Sequence, residues 1–251
     1  MERRVAVALV VAFLTVAVVA AIAFPVTRTP AFHFYADQRT WLGIPHAGDV
    51  LSNLPFVIAG AWGLARAREL FARLACIGVI AIGVGSGAYH VAPDDTTLAL
   101  DWGPIALALM LVTAAVIDDR LGSRAGRIAL VIGPLLAVAS VVSWIAAGGT
   151  GDGATDPAGS VTPYGAVQAI GIALPALLAL IVAGAIPRMP LLLAVALFAT
   201  ARLCAARDRE LLDAIGVSGH SLKHIVAAGA AALALAALTA RGARGARRSA
   251  T

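Results

Sequence analysis

GSGAYH, at positions 85–90, places a serine and a histidine four residues apart inside a long apolar segment. GHSLKH, at positions 219–224, places two histidines four residues apart at the start of the last apolar segment. Side chains four residues apart share one face of an α-helix. Ionisable groups in apolar segments are costly in a bilayer and are functional candidates for that reason. The two stretches therefore predict helices that carry chemically active side chains.

The composition indicates an integral membrane protein. Hydrophobic residues make up 60% of the 251 residues and charged residues 13%, whereas soluble domains have roughly 45–50% apolar and about 25% charged residues. The apolar segments are long and lack the alternation of barrel strands, so we predict transmembrane α-helices. The net charge of +5 comes from arginines scattered at segment ends, so nucleic-acid binding is not expected. Cys76 and Cys204 lie in apolar runs and do not form a disulfide framework or a cysteine metal site.

The order of apolar and polar segments predicts an all-α membrane protein with a seven-helix core and one extra N-terminal helix. The predicted spans are about 5–24, 50–65, 72–91, 98–117, 128–147, 163–185, 189–206 and 218–240. The predicted parts are an N-terminal helix or signal anchor (1–25), a polar extracytoplasmic segment (26–49), the core (50–240) and a disordered basic cytoplasmic tail (241–251). The first apolar run exceeds the about 7–15 residues of a signal-peptide core, which favours a retained helix. Asp94 and Asp95 are expected to cap the start of the fourth span.

Arginine positions predict the orientation in the membrane. With a cytoplasmic N-terminus, most arginines fall on the cytoplasmic side, as the positive-inside rule requires. Both termini are then cytoplasmic, and we expect a multi-pass protein of a bacterial inner membrane. His90, Asp101, His220 and His224 all fall at the extracytoplasmic ends of their spans. Four tryptophans lie near predicted span ends, as in an aromatic belt: Trp41, Trp62, Trp102 and Trp144.

These polar residues match the donor set of a catalytic metal centre. A histidine pair at i and i+4 is a common source of two metal ligands on one helix. His220 and His224, with His90 from another helix, predict a three-histidine zinc site whose fourth position is open to water. Asp101 would hold or deprotonate the water, and Ser86 would donate a hydrogen bond to the developing oxyanion of a substrate. The alternative is that each residue is simply a polar group near the membrane interface.

The ordered set of motifs resembles the alkaline ceramidases. It consists of SxxxH at 86–90, Asp101, and SGHSLKH at 218–224, which is especially close to bacterial members. This family belongs to a superfamily of seven-helix membrane hydrolases that includes adiponectin-receptor and haemolysin III type proteins. The stretch GIPHAGDVLSNLPF at 43–56 resembles the start of that family's first core helix. The resemblance covers about 33–240 and leaves the first helix as an addition.

The resemblance implies a zinc-dependent hydrolase acting on a membrane lipid. His90, His220 and His224 would bind zinc, and Ser86 and Asp101 would line the water and the scissile amide. The implied reaction is hydrolysis of ceramide or a related N-acyl lipid to a fatty acid and a long-chain base. The expected partner is this lipid, and no protein partner is evident.

Calcium is a further expectation from the resemblance. The eukaryotic enzymes hold it through acidic and asparagine residues before the first core helix. This segment offers Asp37 and Asp49 for a weak calcium site. His46 stands where the family has an acidic residue, which argues against calcium.

Three other functions remain open on the residues alone. A receptor- or haemolysin-like relative would keep the zinc site and act in sensing or membrane remodelling. A rhomboid-type serine protease would use the glycine-rich serine at 83–87 with a late histidine, but it needs no metal and leaves Asp101 without a role. A bis-histidine haem protein fits poorly, because His220 and His224 on one helical turn do not suit opposite axial positions.

Overall fold

The computed structural model describes residues 3–24, 26, 30–146 and 160–248, and its regular elements are helices. A 3₁₀ turn covers Pro30–His33. The α-helices are α1 (Arg3–Ala23), α2 (Ala47–Leu51), α3 (Leu54–Leu64), α4 (Leu70–Val91), α5 (Asp95–Leu121), α6 (Ser123–Trp144), α7 (Thr162–Ile181), α8 (Arg188–Ala206), α9 (Asp208–Ile215) and α10 (Gly219–Arg248).

Within the described ranges, six helices are long and apolar enough to cross a membrane, namely α4 to α8 and α10. This confirms an all-helical protein of multi-pass membrane character. The first predicted span is a helix whose apolar part, Val5–Ala20, is shorter than those six. The second predicted span is divided into α2 and α3. Pro55 explains the break, because its ring would clash with the carbonyl of Leu51, where α2 ends.

The end of the chain differs from the prediction. The tail after residue 240 was expected to be disordered, whereas α10 continues to Arg248. Residues 249–251 lie outside the described ranges, as does most of the glycine-rich loop predicted at 148–162.

Helix α5 packs against α4, α6 and α7, while α10 packs against α8 and α3, and α1 lies beside α7. Gly85 permits the close approach of α4 and α5, because a Cβ at this position would overlap the backbone carbonyl of Leu100. The same approach sets Ser86 against the α5 turn that carries Asp101. The packing therefore joins the serine of the first motif to the predicted aspartate.

The start of α5 confirms the expected cap at Asp94. Its carboxylate accepts a 2.6 Å hydrogen bond from the Thr97 amide, and the Thr97 hydroxyl accepts one from the Asp94 amide. These bonds hold the pKa of Asp94 below its ordinary value. Because α5 begins at Asp95, Asp101 lies in the second turn of the helix rather than in the first.

The tryptophans divide into two pairs. Trp41 and Trp62 are exposed, as a belt position requires. Trp102 and Trp144 are buried, and Trp102 stacks on Tyr164 with ring centroids 4.3 Å apart. The belt interpretation was therefore wrong for the second pair, which forms part of the core between α5, α6 and α7.

Candidate metal centre

Three buried histidines meet at one end of the helix bundle. His90 lies in the last turn of α4, and His220 and His224 lie in the first two turns of α10. One potential ligand atom from each side chain lies within 4.8 Å of the other two. The predicted convergence of the two motifs is therefore confirmed.

The separations of the ring nitrogens suit a shared metal ion. Nε2 of His90 is 3.2 Å from Nε2 of His220. Two nitrogens bound tetrahedrally at about 2.0–2.1 Å from one zinc ion would lie about 3.3 Å apart. Nε2 of His224 is buried and has no hydrogen-bond partner among the described residues. Buried polar atoms normally have a partner, so this orphaned nitrogen also fits a metal ligand.

Contacts from α2 and the turn after it assign the tautomer of His224. Its Nδ1 lies 2.8 Å from the Ser52 hydroxyl oxygen and 3.4 Å from the side-chain nitrogen of Asn53, and the backbone carbonyl of Asp49 also interacts with His224. The Ser52 hydroxyl itself donates to the Asp49 carbonyl at 3.0 Å. Because the Ser52 hydroxyl and the Asn53 amide both donate to the Asp49 carbonyl, the shorter contact at Nδ1 favours a proton there and leaves the lone pair on Nε2, the unpartnered nitrogen. This is the arrangement by which outer partners orient a metal-binding histidine.

An aromatic side chain from the polar segment covers the histidines. The ring of Tyr35 packs on His220 and His90, with centroids 4.1 and 4.8 Å apart. Its hydroxyl shares a 2.7 Å hydrogen bond with the hydroxyl of Tyr89, which is 2.8 Å from Nδ1 of His33. Burial holds the pKa of Tyr35 far above its ordinary value, so this residue is neutral. Segment 30–49 thus separates the histidines from the surface.

The same segment is fastened to the loop before α10. The carboxylate of Asp37 accepts two bonds from the Arg39 side chain, at 2.7 and 2.6 Å, and Arg39 also donates to the carbonyl of Gly216. These bonds hold the pKa of Asp37 below its ordinary value. Asp208 accepts from the backbone amides of Ala36 and His220. The segment and the start of α10 are therefore positioned together.

This arrangement does not fit a calcium site at the two expected residues. Calcium takes about 6–8 oxygen ligands, whereas both oxygens of Asp37 accept bonds from a guanidinium group. Oδ1 of Asp49 accepts bonds from the hydroxyls of Ser218 and Ser221, and its Oδ2 is buried without a partner among the described residues. The guanidinium of Arg39 already supplies the positive charge beside Asp37. Calcium binding stays a prediction without support from these contacts.

A cavity of about 190 Å³ extends from the histidines between α4, α5, α7, α8 and α10. Its polar lining consists of Ser86, Asp101, Gln168, Arg202, Lys223 and His224, and the remaining lining is apolar or glycine. The Ser86 hydroxyl interacts with the Asp101 carboxyl. Oδ1 of Asp101 is buried without a partner among the described residues. Both predicted catalytic residues therefore lie at the polar end of one cavity, together with the imidazole ring of His224.

Sequence reasoning missed three side chains of this site. Ser52 contacts His224, and Lys223 places its Nζ 3.0 Å from Nε2 of His220. Arg202 lines the cavity. Ser52 lies three residues before Pro55, but nothing in the sequence indicates which helix its hydroxyl faces.

Comparison with known proteins found no matching family model, no matching curated protein and no matching solved structure. The geometry of the site is therefore the basis for a functional assignment.

Proposed function

We propose that the protein is a zinc-dependent hydrolase that cleaves the amide bond of an N-acyl membrane lipid such as ceramide, releasing a fatty acid and a long-chain base. The observation that carries this proposal is the buried three-histidine cluster at the polar end of an apolar cavity lined by Ser86 and Asp101. Apolar cavities with a few convergent polar groups are the usual form of small-molecule sites.

The shape of the cavity supports a lipid substrate. On α10 the lining residues run from Lys223 to Ala234, and on α5 from Asp101 to Val112. A helix rises 1.5 Å per residue, so each lining extends about 16 Å. This is about half of the roughly 30 Å hydrocarbon core of a bilayer. An acyl chain from one leaflet fits such a length, with its amide placed at the polar end.

The roles of the polar residues follow from their chemistry. A bound zinc ion would supply Lewis-acid activation of the attacking water. His90, His220 and His224 would hold the ion. Asp101 would accept a proton from the water as its oxygen adds to the amide carbonyl carbon, and Ser86 would donate a hydrogen bond to the developing oxyanion. When the carbon–nitrogen bond breaks, the proton on Asp101 passes to the leaving amine.

The architecture proposed with this function is a seven-helix core with α1 added at its N-terminal side. In this arrangement α2 and α3 together form the first core span, both termini are cytoplasmic, and the histidines face the extracytoplasmic side. The arginine distribution supports this orientation. A bacterial inner membrane is the proposed location.

A rhomboid-type protease requires a serine hydrogen-bonded to a histidine. The contacts of the described residues pair Ser86 with Asp101 instead. The histidines contact one another, Ser52 and Lys223. The geometry therefore favours the metal hydrolase.

The test combines metal analysis with lipid hydrolysis by the purified full-length protein. We expect about one equivalent of zinc per chain, as a single closed donor set requires, and zinc-dependent release of fatty acid from an N-acyl sphingoid base. His90→Ala, His220→Ala and His224→Ala should each lose the metal and the activity. His33→Gln is the matched control, because both ring nitrogens of His33 contact Tyr89 and Asp95 outside the cluster.

Two outcomes would contradict the proposal. Zinc below about half an equivalent that does not change in the three variants would exclude the metal centre. Stoichiometric zinc without hydrolysis of any N-acyl lipid would exclude the enzyme and leave the receptor- or haemolysin-like alternative.

A further inference from the structure

Two cationic side chains line the polar end of the cavity. Lys223 follows the cluster residue His220 by three positions on α10, and Arg202 lies near the end of α8. Arg202 is close enough to interact electrostatically with Lys223 and His220. The two cations therefore belong to the same end of the cavity as the histidine cluster.

Neither cation has a carboxylate partner within salt-bridge distance in the described part of the chain. The polar contact of Lys223 is Nε2 of His220, at 3.0 Å. That nitrogen is a proposed metal ligand, so metal binding would take the acceptor from the ammonium group. Arg202 is exposed and Lys223 is half-buried. A cation in a membrane-spanning segment is costly without a counter-ion.

Among the described residues, the hydrogen bond to Nε2 of His220 satisfies one donor of Lys223. A lysine has three N–H groups and an arginine has five. Asp101 is the one carboxylate among the cavity-lining residues, and it already interacts with Ser86. With formal charges of +1 for Lys223, +1 for Arg202 and −1 for Asp101, the lining carries +1 before any metal binds.

Two further carboxylates interact electrostatically with Lys223 but do not line the cavity. Oδ1 of Asp49 accepts from two serine hydroxyls. Asp208 accepts from the amides of Ala36 and His220. Oδ2 of Asp49 is buried without a hydrogen-bond partner among the described residues. Neither Asp49 nor Asp208 lines the cavity, so Asp101 is the carboxylate that the two cations meet there.

We propose that Lys223 and Arg202 form an anion subsite, and that the substrate is an N-acyl lipid with an acidic group on its head. The hydrolytic part of this inference rests on the proposed function, whereas the anion subsite does not. Carboxylate and phosphate are the two candidate groups, since both accept charge-assisted hydrogen bonds from lysine and arginine. A neutral ceramide would leave both cations unpaired.

The reaction with such a lipid keeps the same balance of atoms. Water adds its oxygen to the acyl carbon and its proton to the nitrogen, and the carbon–nitrogen bond breaks. The products are a fatty acid and an acidic amine, such as an amino acid or a phosphorylated amino alcohol. The fatty acid remains along the apolar lining, and the acidic amine leaves from the polar end.

The test uses two matched pairs of lipids with the zinc-loaded full-length protein. N-Palmitoylglycine is compared with N-palmitoylglycinamide, and the phosphate ester of N-palmitoylethanolamine with N-palmitoylethanolamine itself. The acidic member of at least one pair should be hydrolysed with a kcat/KM at least about tenfold higher, the size expected for a charge-assisted hydrogen bond. The pair with the larger preference distinguishes carboxylate from phosphate.

Arg202→Gln and Lys223→Gln should each lower that preference by about tenfold. Arg209→Gln is the control, because Arg209 is exposed, as Arg202 is, but does not line the cavity. It should leave the preference unchanged. A preference that survives in both cavity variants, or that falls equally in the control, would overturn the assignment of the subsite.

Equilibrium binding of the same lipids to chelator-treated protein separates the two proposals. Tighter binding of the acidic lipid by about tenfold, lost in Arg202→Gln, supports the anion subsite even if no lipid is hydrolysed. Equal binding and equal hydrolysis of acidic and neutral lipids would overturn this inference while leaving the hydrolase in place.

Discussion

Ser52→Ala tests whether the contacts around Nδ1 of His224 prepare this residue for metal binding. The Ser52 hydroxyl oxygen lies 2.8 Å from Nδ1 and accepts a hydrogen bond from it in the tautomer favoured above. The substitution removes this acceptor and leaves the three proposed ligands unchanged. We expect weaker zinc binding by a protein that is otherwise folded.

The size of the effect follows from the contacts that remain. Loss of an outer hydrogen-bond partner of a metal-binding histidine typically lowers metal affinity about 10–100-fold. The backbone carbonyl of Asp49 also interacts with His224 and is not removed by the substitution. We therefore expect the lower end of the range, about tenfold or about 1.4 kcal/mol.

The assay is competition for zinc against a chromophoric chelator in detergent, with thermal unfolding measured on the same samples. Ser140→Ala is the matched control. Both serines are buried, and each donates to the carbonyl three residues earlier, Asp49 for Ser52 and Ala137 for Ser140. Ser140 lies in α6, away from the histidine cluster. It should change the stability without changing the zinc affinity.

Two results would refute the reasoning. An unchanged zinc dissociation constant in Ser52→Ala would show that the serine does not orient His224 for metal binding. An equal loss of affinity in Ser140→Ala would show that the effect comes from general loosening of the helix bundle.

Two further substitutions test the support of the site. Gly85→Ala should lower the free energy of unfolding by about 1–3 kcal/mol, because its Cβ would overlap the carbonyl of Leu100. Gly103→Ala is the control, because its Cβ would meet nothing within 4 Å, and it should leave the free energy of unfolding unchanged or slightly higher in chemical denaturation. An equal loss of unfolding free energy in both variants would contradict the close approach of α4 and α5. Asp37→Asn should lower the hydrogen-exchange protection of segment 33–49 at pH 7. The arginine partner lowers the folded-state pKa of Asp37. The resulting stabilisation is therefore present above the ordinary pKa of about 4 and is lost as the pH falls below it. Equal hydrogen-exchange protection of the variant and the parent protein at pH 7 would contradict this attachment.

The histidine cluster was predictable because its evidence is local. The spacing of His220 and His224 fixes a shared helix face, and the positive-inside pattern places His90 at the same end of the bundle. Helix boundaries were less predictable, because they depend on caps and breaks. Asp94 caps α5, which begins three residues before the predicted start of the span at 98. Pro55 divides the second predicted span into two helices.

The burial of two tryptophans could not be inferred from their positions near span ends. Sequence position gives depth in the membrane, whereas the rotation of a helix decides whether a side chain faces lipid or protein. Trp102 faces Tyr164 on α7 and is buried. Trp62 lies at a comparable distance from the end of its predicted span, 50–65, and is exposed. Depth and orientation are thus separate properties, and only the first can be read from the chain.

The same distinction explains why the lysine of the second motif was not recognised as part of the site. Lys223 precedes His224 by one residue, so their side chains diverge by about 100° around the helix axis. His224 faces α2 and the other two histidines, while Lys223 lines the cavity beside His220. The start of α10 therefore presents two proposed metal ligands and a cation to neighbouring parts of one site. Under the proposed function, the same short motif would hold the metal and also select the substrate, and the charge of the lipid head group is the property that tests the second role.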